Sequence, residues 1–112
     1  MSQLTTHILD TTKGKPAANV SVTLFQQTNN GWTEMMKGIT NQDGRIPGLL
    51  PAEKKLEYGT YKLLFETSSY FKSNGITSFY PFVEIVFSID SSEHYHVPLL
   101  LNPYGYSTYR GS

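Results

Sequence analysis

Cysteine is missing from all 112 residues. Its absence excludes disulfides, thiolate metal sites and cysteine nucleophiles, and it fits a reducing compartment. An excess of either charge is missing too: nine Lys and Arg balance nine Asp and Glu, for a net charge of zero. A neutral chain has no electrostatic footprint for nucleic acid or an anionic membrane, so neither is expected as a partner and the ligand is expected to be small and weakly charged. No apolar run approaches the roughly 20 residues that span a bilayer. The opening Met1-Ser2-Gln3-Leu4-Thr5-Thr6-His7 joins no basic segment to an apolar one, so no signal peptide is read. The closing Arg110-Gly111-Ser112 is not a peroxisomal address. A cytoplasmic protein is the expectation. Common catalytic templates are lacking as well: there is no G-x-S-x-G elbow, no P-loop and no evident pair of carboxylates.

What is present is apolar and aromatic. Hydrophobic residues make up 38% and aromatics 13%, enough to fold one domain over residues 1–112. Turn signals cut the chain into short segments, most of which read as strands. Leu4 to Asp10 is the first, closed by a turn at Lys13-Gly14-Lys15-Pro16. Asn19 to Gln26 alternates, with Val20, Val22 and Leu24 on one face and Ser21 and Thr23 on the other, the mark of a half-buried strand. After Asn29-Asn30-Gly31 comes a strand over Trp32 to Gly38. After Asn41-Gln42-Asp43-Gly44 comes a short one over Arg45 to Leu49, then a loop from Pro51 to Lys55. Gly59 to Glu66, Val83 to Ile89, Glu93 to Leu101 and Tyr104 to Arg110 complete the set, the last two split at Asn102-Pro103. Thr67 to Asn74 is the one helix candidate, with Thr67 or Ser68 as cap and Gly75 as stop. Eight short strands at this spacing predict an all-β, two-sheet sandwich.

Three histidines, His7, His94 and His96, are the natural candidates for acid–base chemistry near neutral pH. His94 and His96 stand two apart on a strand and share a face. That spacing is compatible with ordinary strand residues, or with a three-His zinc site completed by His7. Arg45 follows an Asp-Gly turn. It is either a solvated turn residue or a cation placed to polarise a carbonyl. The tail from Tyr104 to Ser112 is aromatic and hydroxyl-rich to its end, unlike a disposable terminus. It reads as an edge strand or as the lining of a cleft.

Taken in order, these segments resemble the transthyretin-related family. Leu4-Thr5-Thr6-His7-Ile8-Leu9-Asp10 with Gly14-Lys15-Pro16-Ala17 resembles its N-terminal signature, and Asp43-Gly44-Arg45 its central motif. His94-Tyr95-His96-Val97-Pro98-Leu99-Leu100-Leu101-Asn102-Pro103, with Tyr106-Ser107-Thr108-Tyr109-Arg110-Gly111-Ser112, resembles its C-terminal signature. The terminal Tyr-Arg-Gly-Ser is the most specific part. Asn102 stands where Ser is expected.

The resemblance implies a transthyretin-like sandwich of about eight strands with one short helix. It implies a homotetramer with sites at the dimer–dimer interface, and cofactor-free hydrolysis of a cyclic amide in 5-hydroxyisourate, a step in urate degradation. Carried over by position, the catalytic residues are His7, Arg45 and His96, and the substrate-binding ones His7, Arg45, Tyr109 and Ser112. No metal is implied, and a fixed charge at Arg45 opposes a zinc dication. His94 is not carried over, and its replacement is expected to be mild. The resemblance leaves open which of His7 and His96 is the general base. Two other readings compete: a carrier of small aromatic ligands on the same fold, and an immunoglobulin-like adhesion module.

Overall fold

The computed structural model describes residues 2–112. Eight strands and one helix follow in the order β1 (Leu4–Asp10), β2 (Lys15–Pro16), β3 (Ser21–Thr28), β4 (Gly31–Ile39), β5 (Gly59–Phe65), α1 (Thr67–Ser73), β6 (Val83–Ile89), β7 (Tyr95–Asn102) and β8 (Gly105–Thr108). They form two four-stranded sheets, β2-β1-β7-β8 and β4-β3-β5-β6. All neighbours are antiparallel except β1 and β7, which run parallel from Leu4 opposite Tyr95 to Asp10 opposite Leu101. The expected two-sheet sandwich is therefore present.

Alternation explains the layering. On β1, Leu4, Thr6, Ile8 and Asp10 are buried while Thr5, His7 and Leu9 face outward. On β7, Tyr95, Val97, Leu99 and Leu101 point inward, and His96 and Leu100 do not. The opposing sheet supplies Val22, Leu24, Tyr61, Leu63, Phe65, Val83 and Ile89 to the same core. The two histidine-bearing strands thus have their inner faces anchored in the apolar layer, and their outer faces left free to carry polar groups.

Two expectations are corrected. Arg45 to Leu49 is not a strand: Arg45 makes a single bridge to His7, and the chain then turns, with the Leu49 amide bonded to the Ile46 carbonyl at 3.1 Å. Pro47 has no N–H to give a ladder, and Gly48 adopts φ +75°. The eighth strand is instead the two-residue β2, which lay within the predicted turn. The helix is capped differently too. Glu66 occupies the N-cap with no side-chain bond, and the Thr67 hydroxyl is buried without a partner. At the other end Gly75, at φ +70°, does stop the helix. The Gly75 and Ile76 amides return to the Lys72 and Phe71 carbonyls at 3.0 and 2.9 Å, a Schellman closure. Helix α1 buries Tyr70, whose hydroxyl donates to Asp10 at 2.6 Å and so ties the helix to the end of β1.

Candidate functional site

The site starts from a loop that glycine makes possible. Asn41 accepts the Asp43 and Arg45 amides at 2.9 and 3.1 Å, and Gly44 bends at φ +72°. A Cβ on Gly44 would stand 2.5 Å from the Ile8 carbonyl oxygen. Only glycine lets this turn press against β1, where the Ile8 amide donates to the Gly44 carbonyl at 3.0 Å. The contact fixes Arg45 opposite His7.

His96 reaches the same outer face from β7, opposite Thr5. The C-terminal segment folds back over it: the Gly111 amide donates to the His96 carbonyl at 2.8 Å. A Cβ on Gly111 would lie 2.6 Å from His96 Cδ2, so the backbone of the tail clamps one edge of the imidazole. The other edge is held by the Thr5 hydroxyl, 2.8 Å from Nδ1. Between these elements opens a cavity of about 420 Å³ walled by Thr5, Arg45, His94, His96, Ser112 and the Ile46-Pro47-Gly48 turn. That volume suits a small ring system.

Both site histidines are weaker bases than usual. Burial lowers the pKa of His96 most; Arg45, His7 and His94 lower it further, against a hydrogen bond that the ring donates to the Thr5 main chain. For His7 burial again leads and Arg45 follows, opposed by the Asp43 main chain and carboxylate. Both rings are therefore neutral near pH 7, the state a general base needs.

The structure brings together Arg45, His96 and Ser112 in the cavity wall. His7 stands beside the wall, close enough to Arg45 to feel its charge and to His96 to lower its basicity. Tyr109 is not part of it. It is exposed and lines a separate groove of about 220 Å³ with Ile85, Phe87, Tyr95 and Val97, where Arg110 stacks 4.3 Å over the Tyr95 ring. Two further residues line the cavity, Thr5 and His94. His94 was a candidate by its shared face with His96 but was not carried over; nothing in the sequence marked the threonine between them. Among the described residues no three His, Cys, Asp or Glu side chains gather as a metal set.

A model of the HIUase/Transthyretin family matches residues 4–111. The chain belongs to that family. Among HIUase/Transthyretin relatives, the 5-hydroxyisourate hydrolase of Salmonella dublin is 52% identical over 110 residues, covering 97% of this chain and 80% of that protein. Two solved HIUase/Transthyretin structures superpose closely. The Klebsiella pneumoniae 5-hydroxyisourate hydrolase gives a TM-score of 0.86 at 39% identity, covering 100% of this chain and 94% of the other. Sea bream transthyretin in complex with thyroxine gives 0.91 at 35%, covering 97% and 94%. The fold is thus common to hydrolase and carrier, and backbone similarity does not separate them.

Proposed function

We propose that this chain, over residues 1–112, is a single hydrolase domain that opens the cyclic amide of 5-hydroxyisourate in urate degradation. The observation that carries this choice over a carrier is the cavity itself. It sets a weakly basic imidazole and a permanent cation in the wall of one small cavity, with a second such imidazole beside it. A carrier of an apolar two-ring ligand has no use for that set, whereas ring opening by water uses all of it. The 52% identity to a protein named as that hydrolase points the same way.

In this mechanism His96 takes a proton from water through its free Nε2, and the water attacks the ring carbonyl. Arg45, planar and always charged, stabilises the oxyanion that forms. His7 orients the substrate, and the proton taken up by His96 passes to the departing ring nitrogen. Ser112 holds the water or substrate at the mouth of the cavity. Tyr109, exposed in the single chain, contacts the substrate only when chains assemble. The assembly is a homotetramer in which the open cavity of one chain is closed by another. No metal or cofactor is assigned, because an activated water and a fixed cation supply the chemistry that hydrolysis requires; prolonged chelation is expected to leave the rate unchanged. A cytoplasmic location belongs to the same reading, supported by the cysteine-free composition.

The test is turnover. Purified protein is mixed with a large molar excess of freshly made 5-hydroxyisourate, and the ultraviolet absorbance of the substrate is followed. Many equivalents consumed per chain, faster than the spontaneous decay, is the expected result. Decay at the spontaneous rate, with an iodinated two-ring phenol bound tightly, would favour the carrier.

A further inference from the structure

Behind His96 one hydroxyl serves two rings. Thr5 Oγ1 lies 2.8 Å from His96 Nδ1 and 2.9 Å from His94 Nε2. The two imidazoles stand 6.4 Å apart and within 19° of parallel. A threonine hydroxyl has one hydrogen. Where it relays between the two neutral rings, it donates to one and accepts an N–H from the other, in one of two polarities. In the first, His96 carries its hydrogen on Nδ1 and donates it to Thr5, and Thr5 donates to His94 Nε2. His96 Nε2 is then a bare lone pair. In the second, Thr5 donates to His96 Nδ1 and accepts from His94 Nε2–H. His96 Nε2 then carries the hydrogen and accepts no proton.

We propose that Thr5 and His94 are positioning residues for the hydrolysis, forming the chain His96 Nδ1–H to Thr5 Oγ1–H to His94 Nε2 that holds His96 in its base-competent tautomer. This rests on the hydrolase reading above, and it goes beyond it by assigning roles to two residues outside the His7, Arg45 and His96 set. Two features make the tautomer decisive. The ring is clamped on its Cδ2 edge by Gly111, so it does not flip to exchange its nitrogens. The groups facing His96 are Arg45 from the loop, His7 from β1 and His94 ahead of β7, all of which disfavour an added charge. The ring is held neutral, and its tautomer decides whether it is a base or a donor.

In this chain His94 is a partner of Thr5, not the spectator that the sequence motif implied.

The test reads the tautomer directly, by nitrogen–proton correlation of the histidine rings in the full-length protein at neutral pH. The wild type is expected to show His96 with a protonated Nδ1 and a bare Nε2. Thr5→Val, which keeps the shape and removes the hydroxyl, is expected to shift His96 toward the Nε2–H form; Thr5→Ser should restore the original pattern. A wild-type His96 protonated on Nε2, or a pattern unchanged in Thr5→Val, would overturn the proposal. Kinetics give the second readout. Thr5→Val and His94→Phe should each lower kcat roughly tenfold, part of the 10²–10⁴ that a general base supplies, with KM little changed and recovery in Thr5→Ser. Wild-type kcat in both would also overturn it. The ring spectra need no substrate, so a wild type that fails to hydrolyse 5-hydroxyisourate counts against the activity while the tautomer is still read.

Discussion

Burial is the largest cause of the low basicity of His7 and His96, and Arg45 is second for both. Removing that charge has a definite sign. Arg45→Gln raises both histidine pKa values, so the proton NMR titrations of the two rings should move to higher pH; unchanged midpoints would show that Arg45 does not face them. The same shifts link to stability. Unfolded histidine titrates near 6.5, and the folded rings titrate lower. Between those values the unfolded chain binds more protons, so stability rises with pH. It is expected to be greatest above about pH 6.5 and to fall as the pH drops below that value, seen as a lower urea midpoint. His96→Gln should flatten the decline. Gly111 gives a third residue-level test. Any side chain there meets His96 Cδ2, so Gly111→Ala should displace the ring and lower kcat on the order of tenfold, while the melting temperature changes little because the tail lies outside the core. A wild-type rate would mean that the clamp is not needed.

Among the elements, the turn from Asn41 to Arg45 controls the most. It joins the two sheets' strands through Ile8 and delivers the only cation in the cavity wall among the described residues. Gly44→Ala forces a left-handed φ on alanine and sets its Cβ against the Ile8 carbonyl. A loss of about 1–3 kcal/mol is expected, measured by urea unfolding, with hydrolysis reduced further because Arg45 moves. The alternation of β1, β5, β6 and β7 was legible in the sequence, since each strand buries one apolar face and leaves the other more exposed. The turns at Asn29-Asn30 and Asn102-Pro103 were legible from residue type. The stretch after Arg45 was not. Ile46, Leu49 and Leu50 look like strand residues, yet Leu49 and Leu50 are buried by a turn that Pro47 and Gly48 impose. Lys15–Pro16 was lost for the opposite reason: its pairing with β1 is a tertiary event on exposed residues with no apolar pattern. At the site, His96 and Arg45 could be named from motifs, but the partnership of Thr5 with His94 and His96 depends on the parallel register of β1 and β7. Parallel pairing joins residues 91 positions apart, and no local pattern encodes it.

At the scale of the whole molecule, one chain presents its site on an open outer face. Sedimentation at micromolar concentration is expected to show a species of four chains, and a fully active monomer would remove the role given to assembly. In the proposed tetramer, Tyr109→Thr is expected to slow hydrolysis and admit larger aromatic ligands, since the exposed phenol would narrow the shared space; an unchanged rate with no gain in ligand binding would leave Tyr109 as an edge residue. The measurement that bears most directly on the chemistry compares 5-hydroxyisourate decay with the wild type, His96→Ala and Arg45→Ala at pH 7.5. The wild type should accelerate the decay, and each variant, still folded, should lose on the order of a hundredfold in rate. Wild-type rates in both variants, or no acceleration by the wild type, would contradict hydrolysis at this cavity.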